Sequence, residues 1–194
     1  MKKMLLALPV LVLAASSAAA QSAHFKGFSI ALNASLVSPT TDYETAGTPV
    51  ASDTSNGTVL GLQSRYYFPI TEQYLVGLGL NKSLTRIRAG TLSGVDSTLK
   101  DRISFDLSPA YALSDNTLLF GKLAFISGTF NLSSDDSNST ASGMGYGLGA
   151  RYLVNKTFFL QGSFDSEQYN QVQFGASTQK VKASSFSVGV GVKF

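Results

Sequence analysis

The chain has 194 residues, of which 14% are charged and 18 are glycine, with no cysteine and a formal net charge of +3 at pH 7. The lack of cysteine excludes disulfides, thiolate metal sites and the acylated cysteine of a lipoprotein. Two of the positive charges, Lys2 and Lys3, lie in a leader expected to be removed, which leaves +3 − 2, or about +1, and no electrostatic case for a nucleic-acid partner.

The first element is that leader. Lys2 and Lys3 precede an apolar run from Met4 to Ala15 that is interrupted by Pro9, and Ala18, Ala19 and Ala20 follow. A basic start, a short apolar stretch and small residues form a secretory signal peptide, with cleavage expected after Ala20. The run is shorter than the roughly 20 residues of a spanning helix. The expected organisation is a signal peptide over residues 1–20 and one domain over 21–194.

Eight strands are then expected in order, each with apolar residues on alternate positions. Phe28, Ile30, Leu32, Ala34 and Leu36 mark the first; Leu60, Leu62, Tyr66 and Phe68 the second. Val76, Leu78, Leu80 and Leu84 mark the third, and Ile103, Phe105, Leu107 and Tyr111 the fourth. Leu119, Leu123 and Phe125 give the fifth, which is the least regular; Met144, Tyr146, Leu148, Ala150 and Tyr152 the sixth. Phe158, Leu160, Gly162 and Phe164 form the seventh, and Phe186, Val188, Val190, Val192 and Phe194 the last. Short turns are expected at 69–73, 112–117 and 155–157, and long polar loops at 38–57, 87–99, 128–142 and 168–181.

The alternate face consists of Gly, Ser, Asn, Gln, Arg and Asp, which suits a cramped polar interior and not a lipophilic pocket. A strand rising about 3.3 Å per residue at a tilt of about 40° needs roughly ten residues to cross an apolar band about 25 Å tall. Ten residues above Tyr74 is Leu84 and ten above Phe194 is Ser184; beyond them the same face turns to Arg86 and Arg88, and to Lys182 and Lys180. Aromatic residues beside the short turns form one interfacial girdle. The fold class expected is all-β: an eight-stranded antiparallel up-and-down transmembrane β-barrel after a cleaved signal peptide, with its long loops outside the cell.

Two segments add a family likeness. Gly145-Tyr146-Gly147-Leu148-Gly149-Ala150-Arg151-Tyr152 and the closing run 186–194 resemble the small outer-membrane β-barrel family that includes opacity-type surface proteins. The resemblance implies that Phe194, a terminal aromatic residue in an alternating strand, is the signal read by the barrel assembly machinery. It implies no single activity, because the family spans adhesins, immune-evasion proteins and others.

Chemical motifs are sparse. Gly145 to Ala150 fits a dinucleotide fingerprint in letters, but strand-like residues follow where a helix is needed. His24 is the sole histidine and sits at the start of the first strand, so neither catalytic residues, metal ligands nor cofactors are expected. The sequon at Asn56-Gly57-Thr58 is expected by chance in such a composition, and Asp135 and Asp136 lack the rest of a calcium loop. By parity Arg65, Arg102, Lys122, Arg151 and Lys193 face inward with Asp106, Asp165 and Glu167, and a polar network filling the lumen is expected, a narrow hydrated pore being the alternative. Asp106 and Lys122, on either side of the turn at 112–117, are expected to lie opposite each other. Arg86, Arg88, Lys180 and Lys182 are a candidate rim for lipopolysaccharide phosphates. The function expected is that of a non-enzymatic surface barrel, its four loops meeting host or environmental ligands or its body supporting the envelope. A narrow porin-like channel is the alternative, and a lipid A-modifying enzyme a further one.

Overall fold

In the computed structural model, residues 21–45, 48–92, 95–132, 138–174 and 177–194 are described. The expected signal peptide and Asp135 and Asp136 lie outside them. The strands are β1 (Gly27–Thr45), β2 (Thr48–Thr54), β3 (Gly57–Pro69), β4 (Tyr74–Ser83), β5 (Ile87–Leu92), β6 (Val95–Ala112), β7 (Thr117–Leu132), β8 (Asn138–Leu153), β9 (Phe158–Tyr169), β10 (Val172–Phe174) and β11 (Ser177–Lys193). Eight of them close a ring, in the order β1, β3, β4, β6, β7, β8, β9 and β11, and β11 returns to pair with β1 from Ser29↔Lys193 to Thr45↔Ser177. Every pairing in the ring is antiparallel, and all but the closing β11–β1 pair join successive strands of the ring, so the barrel is of the up-and-down kind.

Side chains sort to the two faces by the alternation in the sequence. Leu148 is 73% exposed on the outside, whereas Arg65 is 1% exposed within. A continuous apolar exterior around a polar interior is stable only where hydrocarbon replaces water on the outside. The girdle is present at the short-turn end: Tyr66 and Phe68 have ring centroids 4.5 Å apart, Tyr74 and Tyr111 5.1 Å, and Phe28 and Phe194 6.2 Å.

The short turns are closed by local chemistry. Ile70 N donates to Tyr74 O at 2.8 Å, Leu113 N to Thr117 O at 2.8 Å, and Val154 N to Phe158 O at 2.9 Å. In the last, the Asn155 side chain accepts from the backbone N–H groups of both Thr157 and Phe158 at 2.8 Å, as an Asx turn does.

The long connections differ from the expectation. Much of 38–57, 87–99, 128–142 and 168–181 is strand, not loop. β1, β6, β7, β8 and β11 run beyond the apolar band, and β2, β5 and β10 fold back on β1, β6 and β11. Two four-stranded arrays result at this end, β10-β11-β1-β2 and β5-β6-β7-β8. Above the band the outward face turns polar while inward residues such as Leu99, Phe130 and Val181 are apolar and buried, so the apolar-out alternation ends while backbone pairing continues. Cross-strand hydroxyl and carboxylate contacts support it: Thr40 and Thr54 hydroxyls lie 3.1 Å apart, and Ser52 Oγ donates to Asp42 at 2.9 Å. A bulge in β6 between Lys100 and Ile103, with Asp101 at φ 49°, turns both Leu99 and Arg102 inward where strict alternation would separate them.

Candidate functional site

The interior is built in layers. At the short-turn end a 3-10 turn (Gln21–His24) is tied beneath the ring by Ser22, whose N–H donates to Glu72 O at 2.9 Å and whose hydroxyl donates to Thr71 O at 2.7 Å. It delivers Phe25 into an apolar plug with Leu75, Ala112, Leu118 and Leu153. His24, at the end of this turn, is exposed.

The next layer carries charge. Arg65 Nη2 donates to Asp106 Oδ1 at 2.7 Å, and both side chains are completely buried. Asp106 also accepts from Asn81 Nδ2 and Ser108 Oγ, each at 2.7 Å, and Arg65 Nη1 donates to the Tyr67 hydroxyl at 3.2 Å. Arg151 donates to Ser29 Oγ at 3.1 Å and to Gln161 Oε1 at 2.9 Å. Its guanidinium lies 3.9 Å from the Phe159 ring centroid and 5.2 Å from that of Tyr67, while Arg65 lies 5.2 Å from Phe120 and 5.7 Å from Tyr67. Two arginines thus stack among three rings, and the ring quadrupoles stabilise both cations. The carboxylate of this layer, Asp106, pairs with Arg65; among the described residues Arg151 has no acidic partner within ion-pair distance.

Above this layer a chamber of about 80 Å³ is lined by Asn33, Gln63, Asn81, Ser104, Gln161 and other polar groups. Gln161 Nε2 spans it to Asn33 Oδ1 at 2.8 Å and Gln63 Oε1 at 2.6 Å. Lys122 pairs with Asp165 at 2.5 Å on its wall, and Arg102 forms a two-armed pair with Glu167, which also accepts from the Tyr169 hydroxyl at 3.2 Å. The lumen is then filled by an apolar cluster that includes Leu99, Ile126, Phe130, Tyr169 and Val181, with Phe130 and Tyr169 edge to face at 5.5 Å.

Glycines make room for these groups. Tyr67 lies directly opposite Gly77, Asp106 opposite Gly79, Phe120 opposite Gly149, Asp165 opposite Gly147 and Phe159 opposite Gly191. At Gly79 a Cβ would come within 2.8 Å of the Asp106 carboxylate carbon, and at Gly77 within 2.6 Å of the Tyr67 ring. Two ion pairs use this space in the same way. Arg65, Gly79 and Asp106 share one register row, as do Lys122, Gly147 and Asp165.

The structure therefore brings together Arg65 with Asp106, Lys122 with Asp165, and Arg102 with Glu167, and holds Arg151 among rings and amides. The expected pair of Asp106 and Lys122 is corrected: Asp106 lies opposite Ala124, and Lys122 opposite Gly147 on its other side. The hairpin closes with Ala112 opposite Leu118, two residues out of step with the register that would join them. Lys193 is at the short-turn end, where its Nζ donates to Lys26 O at 3.3 Å. The candidate rim residues lie at the long-hairpin end on separate strands: Arg86 between β4 and β5, Arg88 on β5, and Lys180 and Lys182 on β11. Lys182, between buried Val181 and Ala183, is exposed on the outer wall. Phe194 is 71% exposed, and its N–H donates to Phe28 O at 2.9 Å. Sequence parity missed Tyr67, Phe120 and Phe159 as partners of the charges; an aromatic on the polar face of a strand was the available signal.

The family described as outer membrane protein beta-barrel domain matches residues 6–194. Among solved structures, Neisserial surface protein A is 17% identical, with 87% of this chain and 98% of that chain covered and a TM-score of 0.56. Ail, the attachment invasion locus protein of Yersinia pestis, in complex with the heparin analogue sucrose octasulfate, is 17% identical over 87% of this chain and 99% of that chain, with a TM-score of 0.50. At such identities the likeness shows the fold. No curated protein sequence matches the chain.

Proposed function

The chain belongs to the outer membrane protein beta-barrel domain family, and we propose that within it the protein is a non-enzymatic, non-conducting surface barrel of the bacterial outer membrane. Its long-hairpin end faces outward and meets ligands outside the cell. The observation that carries this reading is the filled lumen. Apolar plugs at both ends enclose three ion pairs that reach past neighbouring strands, and a solute would have to separate them to pass. What remains available to partners is the outer surface of the two four-stranded arrays, held in place by backbone pairing and so ordered before a ligand arrives.

Two measurements test it. In planar bilayers the purified barrel is expected to give no steady ion conductance; regular single-channel steps would favour the narrow channel instead. Cells lacking the protein are complemented with wild type or with a chain in which 40–54 and 88–98 are replaced by tight turns. The replacement is expected to insert normally and to lose binding of surface ligands, for which sulfated glycans are a sensible first probe, because the Ail structure holds a heparin analogue. Equal binding by both chains would move the function away from the hairpins.

A further inference from the structure

Across β1, β11, β9 and β8 the outward-facing residues form rows that change character toward the long-hairpin end. One row is apolar: Phe186 faces Phe164, their rings 4.8 Å apart, with Leu36 and Leu148 on either side. The next row holds hydroxyls, with Ser184 between Ser38 and Ser166, and Tyr146 beyond Ser166. The third row has Lys182 between Thr40 and Gln168. The small serines leave a groove of about 560 Å³ in the outer wall, lined by Leu36, Tyr146, Leu148 and the two phenylalanines, with Lys182 one row above the serines. Ser38 Oγ donates to Asn56 Oδ1 at 2.7 Å, but the hydroxyls of Ser166 and Ser184 take no partner among the described residues. A hydroxyl on a lipid-facing surface is costly unless something bonds to it.

We propose that this groove is a fixed site for one phosphorylated, acylated glycolipid of the outer leaflet. One acyl chain lies on Phe164 and Phe186. The chain's carbonyl and the sugar hydroxyls meet Ser166 and Ser184, and the phosphate meets Lys182. Successive rows on one face are about 6.6 Å apart along the strand, and about 5 Å apart along the membrane normal at the usual tilt. Apolar row, neutral hydroxyls and cation thus follow the order of chain, linkage and phosphate in such a lipid. Of the candidate rim residues Lys182 belongs to the site; Lys180 lies one row further out on β11, beside Asp42, and Arg86 and Arg88 lie away from these four strands. The site rests on the outward orientation of the long hairpins proposed above, but not on any ligand those hairpins bind.

The test uses the full mature barrel in an uncharged detergent, with bisphosphorylated lipid A, dephosphorylated lipid A and phosphatidylglycerol as probes, and bound lipid counted by native mass spectrometry. Wild type is expected to retain one lipid A. Ser166→Phe with Ser184→Leu, which fills the groove from outside, is expected to lower its retention at least tenfold while the barrel stays heat-modifiable. Lys182→Gln is expected to lower retention of bisphosphorylated lipid A and leave that of the dephosphorylated form unchanged. Equal retention by wild type and both variants, or no retention by wild type, overturns the site. If phosphatidylglycerol binds as well as lipid A, the glycolipid assignment is wrong. Should the groove-filling variant fail to fold, Lys182→Gln decides alone: no dependence on lipid phosphate overturns the proposal. Cysteine labelling on intact cells at Ser52 reports the orientation separately, so its failure is distinguishable from failure of the groove.

Discussion

Arg65 on β3 and Asp106 on β6 meet at 2.7 Å although their strands are not neighbours; Gly79 of β4 lies between them in the same register row. An eight-stranded lumen is narrow enough for side chains to reach past an adjacent strand, provided that strand presents no side chain of its own. The arrangement makes a backbone-only residue part of an electrostatic contact.

Gly79→Ala is therefore expected to destabilise the barrel by about 1–3 kcal/mol, as other overpacked interiors are. The new Cβ meets a carboxylate that is fixed by three donors and completely buried. Gly57→Ala is the control, because nothing lies within 4 Å of its added Cβ. Urea unfolding in detergent, read by heat-modifiability, measures both. Equal midpoints for the two variants would show that the row tolerates a side chain.

Arg65→Gln and Asp106→Asn should each cost about 3–5 kcal/mol, since each leaves a buried charge without its partner. The double variant should cost much less than their sum. Asp106→Asn combined with Lys122→Gln should instead be close to additive, since these two residues belong to different pairs. A large coupling in the second cycle would contradict the observed register.

Arg151 has rings and neutral amides around it in place of a carboxylate. Arg151→Met, of similar volume, removes a buried charge without stranding an anion. It is expected to be neutral or stabilising, whereas Arg65→Met strands Asp106 and destabilises. Thermal melting of the two variants in one detergent gives the answer, and similar losses in both would mean that Arg151 is held by more than rings and amides.

The natural chain contains no cysteine, so single-cysteine labelling has no background. A membrane-impermeant maleimide added to intact cells should reach cysteines at Ser52 and Asn56, and miss those at Asp115 and Lys156, all four positions being exposed. Labelling of the second pair alone would reverse the barrel in the membrane.

Phe194 closes the aromatic girdle against Phe28 and directly follows the strand that completes the ring, its N–H bonded to Phe28 O. Deleting it, or Phe194→Lys, should reduce the heat-modifiable barrel in outer-membrane fractions and leave precursor or periplasmic aggregate. Unchanged amounts of folded barrel would show that assembly does not depend on this residue.

Face assignment was legible in the sequence because a strand places successive side chains on opposite sides whatever its neighbours are. The alternation of Phe28, Leu32 and Leu36 with Ser29 and Asn33 therefore separates lipid from lumen before any pairing is known. The short turns were legible for a similarly local reason, since a side chain such as Asn155 bonds to backbone only two or three residues away. The ends of the strands were not. Beyond the apolar band around residues 38–54 both faces are polar, and period two carries no information where nothing distinguishes the faces. Nor could alternation say which charges meet, because partners in a closed ring depend on register and on what lies across the lumen. One two-residue offset in the hairpin after Ala112 gives Asp106 to Arg65 and leaves Lys122 to Asp165. The rows that join Phe186, Ser184 and Lys182 to residues of β9 and β1 exist only once the ring has closed, for they combine segments more than a hundred residues apart in the chain, and the tertiary pairing alone sets them side by side.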